Sequence, residues 1–160
     1  MNPTGTAKLA IKNDHRRDDG TGLPRFTGSL VRRAQQRHAA VWLSVVSTEI
    51  TSVQFAALEV LEATPGLNQR QLGDALDVDR STIADLVARM VRNGLIARSD
   101  DPADKRSYVL FLTAAGKKQL AALLPHVEEV ERILTEGLTP QERLELRRLL
   151  GTLLPPRAES

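Results

Sequence analysis

A mainly α-helical chain with one small β-hairpin is what the 160-residue sequence predicts, and three observations between residues 67 and 113 carry the prediction. Two short segments with helical apolar spacing flank a tight turn. A glycine closes the second of them. Two runs rich in branched and aromatic residues follow, joined by a charged, turn-forming tip. The order helix, turn, helix, hairpin defines a winged helix-turn-helix. Duplex DNA is therefore the first partner to consider.

Residues 1–26 mix Gly5, Gly20, Gly22 and Pro24 with charges and hold no apolar stretch of signal-peptide length, so they are expected to form a flexible basic arm of a cytoplasmic chain. Up to residue 40 the basic residues are Lys8, Lys12, Arg16, Arg17, Arg25, Arg32, Arg33 and Arg37, against Asp14, Asp18 and Asp19. Such an arm either follows an anionic partner or only solubilises the chain.

A first helix is expected over residues 28–47, burying a stripe of Leu30, Val31, Ala34, His38, Val41, Trp42 and Val45. Thr51, with Gln54 three residues on, is a capping box for a second helix through Phe55, Leu58, Val60 and Leu61, stopped by Pro65 and Gly66. Asn68 caps a third, with Leu72, Ala75 and Leu76 on one side. Asp77 and Val78 make the turn. Asp79 caps a fourth helix, whose Ile83, Leu86, Val87 and Met90 recur at three- and four-residue spacing, and Gly94 ends it in a left-handed conformation.

Residues 95–98 and 108–112 read as strands, while Asp100, Asp101, Pro102, Ala103, Asp104, Lys105 and Arg106 have turn chemistry. Thr113 then caps a long helix from Ala114 to about Gly137, with Leu120, Leu123, Leu124, Val127, Val130, Ile133 and Leu134 as its apolar series and Pro125 as an expected bend. Thr139, Pro140 and Glu142 start the last helix. Its Leu144, Leu146, Leu149, Leu150, Leu153 and Leu154 offer more apolar surface than one copy needs, so pairing as a homodimer is expected. The resulting division is an arm (1–26), flanking helices forming a dimerisation region (27–50 and 114–154), a winged helix-turn-helix (51–113) and a tail (155–160).

The fourth helix leaves Arg80, Ser81, Thr82, Asp85 and Arg89 off its buried stripe. A helix entering the major groove presents its first turn to base edges, and its unpaired N–H groups attract phosphate. Arg80 can fork onto a guanine; Ser81 and Thr82 can reach a base or the backbone. Arg70 lies in the preceding helix, and Lys105 and Arg106 sit at a hairpin tip able to enter the minor groove. The bland reading of the same residues is an exposed, well-capped helix and a solvated turn. Over residues 68–107 seven basic side chains face seven aspartates, so affinity has to come from placement rather than bulk charge.

Residues 78–82, 86–90, 94–96, 101–106 and 112–116 (VDRST, LVARM, GLI, DPADKR and LTAAG) together resemble bacterial MarR-type regulators. The similarity extends over roughly residues 28–153. It implies a homodimeric winged-helix transcriptional regulator, with Arg80, Ser81 and Thr82 on the recognition helix and Lys105 and Arg106 on the wing, whose DNA affinity a small ligand lowers. Family members often carry a basic or neutral polar residue where this chain has Asp85. A carboxylate there either pairs with Arg89 or accepts from a cytosine amino group. In such a dimer, recognition helices about 34 Å apart address successive major grooves of a pseudo-palindrome, and a ligand favouring another spacing releases them.

His38 lies four residues before Trp42 on one helical face, with Arg32 and Arg37 nearby in sequence. An aromatic ring bearing a carboxylate fits such a set; so does ordinary core packing. Residues 32–38 and 51–54 resemble members of the family that control breakdown of aromatic acids, which implies a benzoate- or cinnamate-like inducer or its coenzyme A thioester. Cysteine is absent, which excludes thiol sensing, disulfides and cysteine-ligated zinc. His15, His38 and His126 are far apart, and no phosphate loop or nucleophile elbow is present. No enzyme, metal or cofactor is expected. The rival readings are a ligand-independent DNA-binding or architectural protein and a winged helix that binds protein.

Overall fold

The computed structural model of the chain describes residues 26–46, 49–101 and 107–154. The chain divides into two compact units, residues Met1–Arg37 and His38–Ser160. Among the described residues, six helices and three short strands follow in the order α1 (Thr27–Val45), α2 (Ser52–Ala63), β1 (Leu67–Asn68), α3 (Gln69–Leu76), α4 (Arg80–Arg92), β2 (Ile96–Asp100), β3 (Tyr108–Leu112), α5 (Ala114–Leu134) and α6 (Pro140–Leu153). Expected boundaries that moved are the end of α1, at Val45, and the end of α5, at Leu134.

The caps form at the residues that signalled them. The Thr51 side chain accepts from the Gln54 N–H while Gln54 Oε1 accepts from the Thr51 N–H, and Asn68 and Gln71 make the same reciprocal pair before α3. Thr139 and Glu142 repeat it before α6, with Pro140 in the first turn. At the other end of α4, Gly94 has φ 70° and the Leu95 and Gly94 N–H groups return to the carbonyls of Met90 and Val91. This is the double closure that a left-handed glycine permits.

The core is built from α2, α3, α4, the sheet and α5. Leu58, Leu61, Leu72, Val87, Met90, Ile96 and Leu110 are its most enclosed side chains, and Trp42, Phe55, Leu120, Leu123 and Val130 join it. The sheet is antiparallel, in the order β1-β3-β2, with Ile96 opposite Leu112 and Asp100 opposite Tyr108. Strand β1 was not anticipated. Its two residues pair with Leu110 and Val109, and two residues cannot display alternation. Asp100, expected in the tip, is the last paired residue of β2, because the hydrogen-bond ladder continues past the apolar run.

The expected apolar stripes of α1 and α5 are covered only in part. Val31 and Ala34 are exposed and Leu30 is only half-buried, whereas Val41, Trp42 and Val45 pack against the core. In α5, Leu124 is exposed too. An apolar stripe is covered only as far as one chain supplies cover. Helix α6 is the extreme case: none of its residues is buried, although Arg147 pairs with Glu131 of α5 at 2.6 Å. Helix α5 continues through Pro125.

Gly116 explains the glycine after the α5 cap. A Cβ there would lie 2.0 Å from the Leu95 carbonyl oxygen. Beside it, the Thr113 hydroxyl reaches the carbonyl oxygens of Gly94 and Leu95, its N–H donates to the Leu95 carbonyl, and its oxygen accepts from the Gly116 N–H. One threonine thus ties the end of α4, the entry to β2 and the start of α5.

Candidate nucleic-acid interface

Helix α4 is seated by its apolar face. Ile83, Leu86, Val87 and Met90 are all buried, which turns Arg80, Ser81, Thr82, Asp85 and Arg89 outward. The turn before it depends on Asp77, which takes a left-handed conformation at φ 52°, tolerated better by aspartate than by most residues. Close packing of α3 on α4 needs a small residue at Gly73, whose position lies 3.3 Å from the Ile83 side chain once a Cβ is added.

Asp79 caps α4 with four hydrogen bonds. Its Oδ1 accepts from the Ser81 N–H at 2.9 Å, the Thr82 N–H at 3.0 Å and the Ser81 hydroxyl at 2.5 Å, and its Oδ2 accepts from the Thr82 hydroxyl at 2.5 Å. The side-chain bonds from Ser81 and Thr82, followed by the Thr82 N–H, hold its carboxyl well below the usual range. The Asp79 cap expected from the sequence is made, and it occupies two of the N–H groups at the start of α4, leaving fewer for a phosphate.

Asp85 and Arg89 form no ion pair among the described residues. The pairing offered as one fate of Asp85 is therefore not made, and its carboxylate stays exposed.

A groove of about 520 Å³ runs alongside the start of α4, lined by Asn68, Arg70 and Asp74 of the α3 segment, Arg80 of α4 and Tyr108 of β3. It brings Arg70 and Arg80 together from separate helices. Tyr108, half-exposed, was read only as a strand residue, yet it forms the far wall, and the Arg98 guanidinium lies over its ring at 5.3 Å. These two were missed because cross-strand neighbours are set by register, which local spacing does not reveal. Lys105 and Arg106 lie outside the described residues. Residues Asp101 and Ser107 are joined by the Asp101 N–H to the Ser107 carbonyl and by the Ser107 hydroxyl to Asp101 Oδ2, each at 3.1 Å.

The candidate ligand residues fall in different settings. His38 and Trp42 stack tilted with ring centres 5.9 Å apart, and Trp42 meets Phe55 at the same separation. The Trp42 Nε1–H donates to the Ile50 carbonyl at 2.8 Å and its ring is buried in the core, so its N–H is already taken. Arg32 and Arg37, in the first unit, are exposed. Gln54 was missed except as a cap: its Oε1 serves the Thr51 N–H, while its buried Nε2 has no hydrogen-bond partner among the described residues. No cluster able to hold a metal ion occurs among the described residues. No helix among them is long and apolar enough to cross a membrane.

A capped, outward-facing helix packed with a β-hairpin places the chain in the class of winged helix-turn-helix proteins. The MarR family model matches residues 50–108. The repressor NicR of Pseudomonas putida is 31% identical over 128 residues, covering 79% of this chain and 81% of that protein. PcaV of Streptomyces coelicolor, a transcriptional regulator solved with its natural ligand, superposes with a TM-score of 0.78 at 36% identity, covering 81% of this chain and 92% of its own. BpsR of Bordetella bronchiseptica, whose DNA binding is regulated by 6-hydroxynicotinic acid, gives a TM-score of 0.78 at 29% identity over 81% and 93% of the two chains. The chain belongs to the MarR family of transcriptional regulators.

Proposed function

We propose that the chain is a homodimeric repressor, working in the cytoplasm, that holds a pseudo-palindromic operator and releases it on binding a small aromatic acid or the acid's coenzyme A thioester. The observation that carries the DNA half is the first turn of α4, exposed beside a groove that gathers Arg70 and Arg80. On this reading Arg80, Ser81, Thr82, Asp85 and Arg89 meet base edges or backbone, Arg70 meets phosphate, and Lys105 and Arg106 reach the minor groove from the wing. Residues 27–50 and 114–154 form the dimerisation region, for which the exposed leucines of α6 are the support.

Ligand response is supported by BpsR, whose DNA binding responds to an aromatic carboxylate. The tilted His38–Trp42 pair supplies aromatic rings, and Arg32 and Arg37, nearby in sequence, are the candidate cations for a carboxylate. Repression is supported by the NicR similarity.

The test is a gel-shift titration on fragments selected from genomic DNA, with and without 6-hydroxynicotinate, benzoate and cinnamate. Affinity should fall with ligand in the wild type and fall less in His38→Ala or Arg37→Ala. A DNA affinity that no such acid changes would remove the ligand half. The balanced charge of residues 68–107 favours a protein-binding winged helix as second reading; it predicts negligible salt dependence and no loss on Arg106→Ala.

A further inference from the structure

We propose that Asp79 sets the base preference of α4 by fixing the hydroxyls of Ser81 and Thr82 as hydrogen-bond acceptors. The inference rests on the reading that this turn faces base edges.

An ionised carboxylate can only accept, and a hydroxyl has one proton to give. With Ser81 Oγ 2.5 Å from Asp79 Oδ1 and Thr82 Oγ1 2.5 Å from Oδ2, both protons point at the aspartate. The lone pairs that remain on each oxygen face outward from an exposed turn. They cannot bond a phosphate oxygen, which also only accepts. They can accept from the amino groups of adenine N6 and cytosine N4, the only base donors in the major groove.

Turning either proton outward would break a charge-assisted bond, roughly twice as strong as a neutral one. It would also strip donors from a carboxylate close to a polyanion. Asp79 is then a positioning residue as well as a cap: it never meets the base, yet it decides which side of the hydrogen bond Ser81 and Thr82 supply. A serine and a threonine that sequence leaves free to touch base or backbone are thereby directed away from the backbone.

The informative variant is Asp79→Asn, since asparagine caps as well as aspartate. Its Oδ1 still accepts from the two N–H groups and from Ser81, which keeps the amide from flipping. Its Nδ2 faces the Thr82 oxygen and donates to it, freeing the Thr82 proton. Fragments selected from random DNA by the wild type should carry adenine or cytosine at the position that Thr82 reads. Replacing adenine there by purine, or cytosine by pyrimidin-2-one, removes the amino group and should weaken binding about five- to tenfold, the scale of one hydrogen bond. In Asp79→Asn that penalty should fall below about twofold and selection should move to thymine or guanine, whose groove edges accept. The position read by Ser81 should not change.

Thr82→Val, which leaves the Asp79 cap on both N–H groups, should also abolish the amino-group penalty and serves if Asp79→Asn melts early. An amino-group penalty that persists undiminished in Asp79→Asn but vanishes in Thr82→Val overturns the proposal while leaving α4 as the base reader. Sequence-specific binding unchanged in Thr82→Val and in Ser81→Ala removes that reading, and this inference with it.

Discussion

Helices α4 and α6 carry the same kind of apolar repeat and meet opposite fates. In α4, Val87 and Met90 are wholly enclosed; in α6, Leu144 and Leu153 keep more than half of their surface, at 60% and 64% exposure. The first repeat is satisfied within one chain, so the register of the reading helix is fixed by its own core. The second is left over. If a second copy covers it, as proposed, its stability depends on protein concentration and that of the α4 packing does not.

The largest effect should come from emptying the satisfied side. Met90→Ala removes a fully buried side chain and should cost about 2–5 kcal/mol, read as a lowered denaturant midpoint at a fixed protein concentration. Gly116→Ala comes next. Its methyl would collide with the Leu95 carbonyl, and overpacking of this kind costs about 1–3 kcal/mol; an unchanged midpoint would mean that α5 slides away from the strand without loss.

The comparison sharpens on the other side. Leu149→Glu with Leu153→Glu should leave the winged helix folded by near-ultraviolet circular dichroism, yet abolish any concentration dependence of Tm and shift sedimentation to single chains. If the same species sediments before and after, α6 is not the pairing surface.

The smallest effect concerns the α6 cap. Bonds from the Thr139 N–H and hydroxyl hold the Glu142 carboxyl below its ordinary value. Because the folded value is the lower one, the stabilisation is present above the unfolded carboxylate value of about 4.3 and is lost as pH falls through the folded one. Helical signal assignable to α6 should be flat from neutrality to about pH 5 and decline below pH 4, and in Glu142→Gln that decline should shrink.

What the sequence displays most clearly is local chemistry. Asn68, Asp79, Thr113 and Thr139 announce helix starts through short side chains that bond within three residues, and Gly94 announces an end through its freedom at positive φ. Those signals need no partner element. Tyr108 and Arg98 were illegible as wall and stacking cation because their meeting depends on strand register, and half of the α1 stripe is left uncovered within one chain because periodicity records an apolar face without naming what covers it. The hydroxyls of Ser81 and Thr82 stood in plain view, but which way their protons point follows only from the position of Asp79 oxygens in space.

The bonds around Thr113 have a mechanical consequence. With its hydroxyl and N–H fastened to the strand entry and the C-terminal closure of α4, and its oxygen holding the first turn of α5, no hinge is left at that junction. On the proposed reading, a displacement of α5 is passed on to the hairpin and the end of α4 through these bonds rather than absorbed at the joint. A fluorophore pair placed across this weld should report constant separation when an acid that lowers DNA affinity is added, while, if the chain pairs as proposed, a pair placed on the two winged helices should change.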